Sequence, residues 1–369
     1  MTTTAANRRQ FMQALGATGV VAIAGCLSND DVSGNSTTTE TEAVDEGLPA
    51  AKAADVDRIA RDPTDIPAPV DWTEPREHDI TIRTKRVTAE IEPGVTFDYM
   101  TFEGQVPGPM VRVRKGDRVN LTFEVPEETN LEAHNVDFHA VYGPGGGAEA
   151  TTVAPGDEPA EISFTAEYAG AFVYHCAIPN MDQHISAGMF GTILVEPEEG
   201  LPEVDREFYL GQHEIYTDGA VGEEGHHAFD FDGMKTEDPT YVVFNGQAYG
   251  LTEDGVGAME AEVGETARVY FANGGPNFTS ALHPIGNVWH RYYRDGDLLS
   301  EPDRNIETAP VAPGTTTVGE MEFPVPGPVK IVDHALSRAG RRGALAAIDV
   351  TGEENPEIYD ETPADNETQ

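Results

Sequence analysis

An internal repeat constrains the fold of this 369-residue chain more than any other feature. The segment Val153–Gly156, with the sequence Val-Ala-Pro-Gly, recurs as Val311–Gly314. Cys176 follows the first copy by the same number of residues as His334 follows the second. Since a fixed spacing between similar segments is the mark of a repeated structural unit, the two halves are predicted to share one architecture.

A second pair of segments supports the same repeat. Lys115–Asp117 resembles Val263–Glu265, and each segment precedes a run with strand character. His134 and His283 follow these segments at spacings that agree to within one residue. The sequence therefore predicts two copies of one domain, over residues 71–200 and 201–352, followed by an acidic tail over residues 353–369.

The repeated unit is predicted to be a β-sandwich. From His78 onward, short alternating or β-branched segments such as Asp79–Arg83 and Arg118–Phe123 are separated by Gly and Pro turns. No convincing long helical pattern interrupts them. Many short strands of this kind favour an all-β fold of two tandem Greek-key β-sandwich domains.

The charge of the chain excludes a large class of partners. The chain carries 23 Lys and Arg against 65 Asp and Glu, which gives a formal net charge of −42. Because nucleic-acid binders need a basic face that releases counterions, no nucleic-acid partner is expected. The acidic excess is typical of a surface kept hydrated at high salt, and it predicts a halophilic, archaeal source.

The first 26 residues are predicted to be an export signal. Arg8-Arg9 resembles a twin-arginine signal, and the uncharged run Ala14–Gly25 is too short to span a bilayer. Cys26 stands where a lipoprotein signal carries its acylated cysteine, although a simple signal cleaved off together with Cys26 is the alternative. The polar, acidic residues 27–70 are predicted to form a flexible tether. We therefore expect an extracytoplasmic protein, anchored to the outer face of the membrane only through lipid.

Four residues of the first copy have the chemistry of a type 1 copper site. They are His134, Cys176, His184 and Met189. Such a copper takes two imidazoles and one thiolate in a trigonal plane, with a weak thioether on the axis. The last three residues lie in one short stretch that a loop at a strand end can fold together, whereas His134 must come from a distant strand. Cys176 is the only cysteine besides Cys26, and metal ligation would protect its thiol in an exported protein.

Strand alternation predicts a second metal site that faces the other way. His175 directly precedes Cys176, and His139 lies an odd number of residues after His134. On regular strands, His175 and His139 therefore point away from the first site. Two imidazoles leave a metal under-coordinated, and His334 is the candidate third ligand because it occupies the repeat-related position.

Together these segments resemble the copper-containing dissimilatory nitrite reductases. The resemblance is carried by His134–His139, Gly143–Glu149, Tyr174–Ala177, His184–Met189 and Val332–His334. It covers roughly residues 78–350, and it implies two cupredoxin domains per chain, a homotrimer and two coppers per chain. The type 1 copper would use His134, Cys176, His184 and Met189. The type 2 copper would use His139 and His175 of one subunit and His334 of the next.

The resemblance also implies an activity, the reduction of nitrite to nitric oxide with one electron and two protons. The electron would come from a small blue-copper protein or a cytochrome and would cross the His175–Cys176 backbone. The positions matching the family's proton-handling residues are Asp137 and His283, and Ile285 matches the apolar residue over the copper. Asp137 also shares a predicted strand face with His139. Alternatively, Asp137 only orients His139, and His283 has a purely structural role.

Two rival functions can be compared with this one. A multicopper oxidase needs several His-x-His pairs and a His-Cys-His segment, but Cys176 is followed by Ala177 and the sequence contains no His-x-His pair. A membrane-tethered blue-copper electron carrier would need only the type 1 ligands. That function leaves His139, His175 and His334 unexplained.

The remaining histidines have no partners at useful spacings. His226-His227 lies in a Gly- and Glu-rich stretch and is interpreted as part of a solvated loop. His78, His213 and His290 receive no role.

Overall fold

The computed structural model describes residues 47–362, and within this range the chain consists mainly of β-strands. The strands of the first half are β1 (Glu77–Glu92), β2 (Val95–Phe102), β3 (Val111–Arg114), β4 (Arg118–Glu124), β5 (Asp137–Phe138), β6 (Ala160–Thr165), β7 (Gly170–His175) and β8 (Phe190–Glu196). The strands of the second half are β9 (Arg206–Ile215), β10 (Gly225–His227), β11 (Tyr241–Phe244), β12 (Met259–Glu262), β13 (Thr266–Gly275), β14 (Ser280–Ile285), β15 (Trp289–Tyr293), β16 (Asp303–Ile306), β17 (Ala309–Val311), β18 (Thr315–Glu322), β19 (Gly327–Asp333) and β20 (Leu345–Thr351). Three short α-helices accompany them in the described range: α1 (Met181–Ser186), α2 (Phe231–Lys235) and α3 (Leu336–Arg342).

The first half forms one sandwich of two sheets. Their strand orders are β10-β2-β1-β4-β6 and β3-β8-β7-β5. The strand β4 shows why the layers pack: Val119, Leu121 and Phe123 are buried, and the residues between them are not. Alternation of this kind puts one face of a strand on the core and the other toward water.

The second half repeats this architecture. Its sheets have the orders β11-β9-β13-β18-β15-β16 and β12-β20-β19-β14-β17. Strands that are distant in sequence lie side by side, as where β13 pairs in parallel with β9 and antiparallel with β18. These connections, together with the two-layer packing, confirm the predicted all-β fold of two tandem cupredoxin-like Greek-key sandwiches.

One strand from the second half of the chain joins a sheet of the first sandwich. The strand β10 comes from the second half of the chain but pairs in parallel with β2 of the first sandwich. His227 of this strand is 1% exposed, and its ring bonds to Thr217 Oγ1 at 3.0 Å and to the Glu223 carbonyl at 2.7 Å. The interpretation of His226-His227 as a solvated loop is therefore wrong, because the local Gly and Glu content does not reveal the pairing with β2.

The segment before the first strand is attached to both sandwiches. Ile59 is buried, and the Arg61 amide donates to the Val106 carbonyl at 2.9 Å. From the second sandwich, Asn245 Nδ2 donates to the Arg61 carbonyl at 2.9 Å. The prediction of a flexible tether over residues 27–70 is therefore wrong around residues 59–63. The polar composition of this segment suggested that it is surrounded by water. The buried Ile59 side chain and the backbone hydrogen bonds of Arg61 instead hold it against the two sandwiches.

Several predictions concern residues outside the described range. They are the export signal over residues 1–26 with Cys26, the tether over residues 27–46, and the end of the acidic tail from residue 363 onward. Within residues 47–362, no helix has the length and apolar character needed to cross a membrane. The exact domain boundaries at residues 71, 200 and 352 stay predictions.

Candidate metal centres

One sulfur and two imidazole nitrogens meet at the end of the first sandwich. Cys176 directly follows β7, His184 lies in α1, and His134 forms an isolated bridge with Val153. Cys176 Sγ lies 3.5 Å from His184 Nδ1 and 3.8 Å from His134 Nδ1. The three donor atoms lie within 4.8 Å of one another, which is the spacing that a single metal ion needs.

Met189 closes this group from the neighbouring strand. It directly precedes β8, and the Cys176 amide donates to its carbonyl at 3.2 Å. Its own amide donates to the His184 carbonyl at 3.0 Å, and its side chain is fully buried. The structure therefore brings the donor atoms of His134, Cys176 and His184 together and holds the buried Met189 next to them through its backbone bonds.

The electrostatics of this cluster suit a soft cation. Burial, together with the neighbouring His184 ring, lowers the pKa of His134 to about 3, and burial lowers the pKa of His184 to about 4. Both imidazoles are thus neutral and keep a lone pair at neutral pH. Burial raises the pKa of the Cys176 thiol to about 11. A bound cation would reverse this last effect, since metal ligation favours the thiolate. The donor set therefore fits a type 1 copper.

A second group of donors lies on the other side of the same strand end. His139 Nε2 and His175 Nε2 are 3.0 Å apart, and Asp137 Oδ2 lies 4.0 Å from His175 Nε2. The pairing of β5 with β7 sets Asp137 opposite His175. His175 Nδ1 donates to the Cys176 carbonyl at 2.9 Å, which leaves its Nε2 as the free lone pair. Loss of solvent around its ring, together with the nearby His175 ring, lowers the pKa of His139. This imidazole pair fits the predicted type 2 copper.

The third predicted imidazole lies elsewhere in the chain. Among the described residues, His334 joins neither of the two donor groups. Its ring instead lies 4.9 Å from the ring of His283, centroid to centroid. His283 Nδ1 donates to the Glu307 carbonyl at 2.7 Å, and Ile285 is exposed two residues further along β14. His283, Ile285 and His334 thus form a half-site on the second sandwich, separate from Asp137, His139 and His175. His283 is half-buried there, and the other two residues are exposed.

Sequence reasoning missed two groups that hold the ligands. Asn135 Oδ1 accepts the Ala177 amide at 2.7 Å and lies 3.7 Å from Cys176 Sγ, so it links the His134 segment to the Cys176 loop. Its position next to His134 was the only available signal. Gly314 of the repeated Val-Ala-Pro-Gly segment hydrogen-bonds through its backbone to the His139 ring. Nothing in the sequence links these two residues.

Comparisons with known proteins agree with this geometry. A family model described as multicopper oxidase matches residues 83–200. The chain is 40% identical over 317 residues to the copper-containing nitrite reductase of Neisseria meningitidis serogroup B, covering 86% of this chain and 80% of that protein. It is 41% identical over 310 residues to the copper-containing nitrite reductase of Neisseria gonorrhoeae, covering 84% of this chain and 78% of that protein.

Solved structures show the same relationship. The copper nitrite reductase of Nitrosomonas europaea superposes with a TM-score of 0.67 at 32% identity, over 76% of this chain and 96% of that one. A multicopper oxidase superposes with a TM-score of 0.63 at 25% identity, over 74% of this chain and 89% of that one. The shared sandwich fold explains both structural matches. The sequence identity is higher to the nitrite reductases, at 32–41%, than to the multicopper oxidase, at 25%. The chain therefore belongs to the copper-containing nitrite reductases.

Proposed function

We propose that the protein reduces nitrite to nitric oxide with one electron and two protons, using a type 1 and a type 2 copper. When bound, the two coppers would supply one-electron chemistry. One would be held by His134, Cys176, His184 and Met189, and the other by His139, His175 and a His334 from a neighbouring subunit. The observation that carries this proposal is the adjacency of the two donor groups. Cys176 belongs to one and His175 to the other, so a single peptide bond joins them.

Local geometry fixes the orientation of this connection. The bond from His175 Nδ1 to the Cys176 carbonyl closes a small loop across the peptide that joins the two groups. This bond holds His175 Nε2 toward His139 and fixes the tautomer of the ring. The backbone between the two sites is therefore short and rigid, as fast electron transfer over a fixed distance requires.

The protons come from side chains that border the second group. Asp137 lies 4.0 Å from His175 Nε2, close enough to exchange a proton with a ligand held between the imidazoles. His283 holds its Nδ1 proton on the Glu307 carbonyl, so its Nε2 is the atom that can exchange a proton. In this mechanism Asp137 and His283 handle the two protons. Ile285 provides the apolar wall over the substrate.

A complete site requires a second copy of the chain. His283 (half-buried), Ile285 and His334 (both exposed) lie on one sandwich, and Asp137, His139 and His175 lie on the other. A cyclic homo-oligomer brings such complementary halves together at every interface, and we propose the homotrimer of the family. Each trimer then holds three equivalent sites, each with His334 supplied by a neighbouring subunit.

Electron paramagnetic resonance on the copper-loaded protein tests the copper assignment. We expect two copper ions per chain and two distinct cupric signals, with nitrite changing only the wider-split signal. A single narrow-split signal at one copper per chain would instead establish the electron carrier.

Mixing two inactive variants tests the shared site. His175→Ala and His334→Ala should each keep the visible type 1 colour and lose nitrite turnover. Randomly mixed trimers of these two variants should regain about a quarter of the wild-type activity, because each mixed trimer contains one intact interface. The matched control mixes His139→Ala with His175→Ala, which leaves no interface intact and should restore nothing. Equal recovery in both mixtures, or none in the first, would contradict a site shared between subunits.

The remaining proposals concern the cellular location of the protein, its electron donor and its source. Arg8-Arg9 and Cys26 support export of the folded protein by the twin-arginine route and anchoring through a lipid. The electron donor is then a small blue-copper protein or a cytochrome outside the cytoplasm. The net charge of −42 supports a halophilic, archaeal source. Mass spectrometry of the mature N-terminus tests the anchor, since an acylated Cys26 is expected there and a chain starting after Cys26 would contradict it.

A further inference from the structure

The segment that carries two of the type 1 ligands is held from outside its own sandwich. His184 and Met189 lie at the two ends of this short segment, and Ser186 lies between them. Ser186 Oγ donates to the Glu214 carbonyl at 2.7 Å. Its own carbonyl accepts from His213 Nδ1 at 2.9 Å. Both partners belong to β9 of the second sandwich, so this segment takes its position from the other domain.

His213 is suited to hold this position. It is fully buried, and its Nε2 has no hydrogen-bond partner among the described residues. Because a carbonyl can only accept, the ring must carry its proton on Nδ1. Burial lowers the pKa of His213 to about 4, so the ring stays neutral at neutral pH. A buried imidazole with one unpaired nitrogen costs stability, and its single bond is the one to the ligand segment.

The same histidine also contacts the residue after Met189. The rings of His213 and Phe190 lie 5.5 Å apart, centroid to centroid. The Phe190 ring fits beside two glycines of the second sandwich, Gly211 and Gly274. A side-chain carbon added at these glycines would lie 2.8 Å and 2.7 Å from the ring, which is closer than such contacts allow. Phe190 therefore lies in a slot formed by β9 and β13, and Met189 directly precedes it.

We propose that His213 is a positioning residue for the type 1 copper site, setting the place of Met189 relative to His184 through Ser186 and Phe190. The inference rests on the proposed type 1 site. The thioether is the weak axial ligand of such a copper, and its distance tunes the colour and the reduction potential. A small shift of the segment at Ser186 therefore changes both properties without removing any ligand.

The test compares two substitutions of the same residue. His213→Leu keeps most of the volume but removes the donor, whereas His213→Asn places an amide N–H near the position of Nδ1. We expect His213→Leu to bind copper in wild-type amount but to shift the ratio of the visible absorption bands and the reduction potential. His213→Asn should return both values toward wild type. A leucine variant with wild-type spectrum and potential, or an asparagine variant identical to the leucine variant, would overturn the proposal.

A core truncation controls for general loss of stability. Val269 is fully buried in the core of the second sandwich, so Val269→Ala should lower the unfolding midpoint without shifting the spectrum. An equal spectral shift in this control would also overturn the proposal. If His213→Leu does not fold, Gly274→Ala crowds the Phe190 ring from the other wall of the slot, and the same two measurements decide. An unchanged spectrum and potential in that variant would refute the inference.

Two further readouts separate this inference from the copper assignment. A wild-type protein without a type 1 absorption spectrum refutes the ligand set itself, before any variant is compared. In the copper-free protein, we expect the Met189 amide to exchange its hydrogen faster in His213→Leu than in His213→Asn, because its bond to the His184 carbonyl lies in the same segment. Equal exchange in the two variants would contradict the positioning role even where no metal is bound.

Discussion

A buried chain of ion pairs crosses between the two sandwiches, and replacing its first arginine should destabilise the protein strongly. Arg112 of β3 has a side chain that is 1% exposed. Its Nε lies 2.6 Å from Glu196 Oε1, and its Nη1 lies 2.6 Å from Glu207 Oε2 of β9. Arg112→Met keeps the apolar stem but leaves two buried carboxylates without this cation. Removing one partner of a buried pair in this way costs about 3–5 kcal/mol.

The partners that the two carboxylates keep after the substitution show which of them causes most of the loss of stability. Glu207 keeps Arg268 at 3.2 Å, whereas Glu196 retains only the Val70 amide at 3.2 Å. Most of the loss therefore comes from Glu196. Arg112→Met combined with Glu196→Gln should recover part of the lost stability, because no unpaired charge then stays at that position.

The loss should also depend on pH in a defined direction. Burial raises the pKa of Glu207, but the hydrogen bond and charge of Arg112 outweigh burial and hold the pKa below the ordinary value of 4.5. A group with a lowered pKa contributes stability above its unfolded-state pKa and loses that contribution as the pH falls through the folded-state pKa. The part of the difference in unfolding free energy between wild type and Arg112→Met that comes from Glu207 should therefore be largest near pH 7 and shrink as the pH falls below 4.5.

Chemical denaturation at several pH values measures this effect. The matched control is Arg83→Met, because the pair of Arg83 with Glu124 has the same 2.6 Å separation but side chains that are 46% and 27% exposed. That substitution should cost no more than about 1 kcal/mol. If Arg112→Met costs as little as the control, or if its cost does not change with pH, the reasoning about the buried network is refuted.

Three further predictions address other parts of the molecule. Burial raises the pKa of Asp98, but hydrogen bonds from Thr88 and Lys52 outweigh burial and lower this pKa to about 2 from 3.8. Asp98→Asn should therefore lower the free energy of unfolding by about 1 kcal/mol at pH 7, after allowance for solvent screening. Unfolding at pH 7, 4 and 2 should show that this cost disappears on acidification, and a constant cost would contradict it. Ile59→Ala should lower the free energy of unfolding by about 2–4 kcal/mol, because Ile59 is buried. Ala53→Gly, at an exposed position of the same segment, should change it very little. Equal effects in thermal unfolding would support the prediction of a flexible tether. Asn135→Ala leaves the Ala177 amide unpaired and should cost about 1–3 kcal/mol in the copper-free protein. An unchanged unfolding midpoint in that variant would contradict the anchoring role of Asn135.

Periodicity and spacing predicted the features that depend on local backbone geometry. The opposite directions of Cys176 and His175 follow from alternation along β7, and the structure places them in different donor groups. The same argument for His134 and His139 assumed a regular strand, but β5 contains only Asp137 and Phe138. His134 and His139 still belong to different donor groups. The pairing of Asp137 with His175 fixes the register of β5 against β7 at this point.

Features that depend on contacts between distant segments were not predictable in this way. His213 has no motif around it, and its role follows only from the approach of β9 to Ser186. The strand β10 carries His226-His227 into a sheet of the other sandwich, which no local composition could indicate. The residues around Arg61 are held by two backbone hydrogen bonds with Val106 and one hydrogen bond from Asn245. In each case the deciding partner is more than twenty residues away in sequence, and periodicity carries no information about it.

The repeat gives a physical reason for the placement of the two halves of the proposed catalytic site. His283 and His334 occupy the positions in the second sandwich that His134 and Cys176 occupy in the first, and they too lie close together, with ring centroids 4.9 Å apart. The fold therefore brings these two positions together in both copies, because the pairing of β14 with β19 sets His283 opposite Val332, two residues before His334. In the first copy, the loop through α1 adds two more ligands and completes a buried site. In the second copy, α3 follows His334 and carries neither histidine, cysteine nor methionine. This pair stays incomplete, with His334 exposed and His283 half-buried, and an imidazole pair from another subunit can supply what the second sandwich lacks.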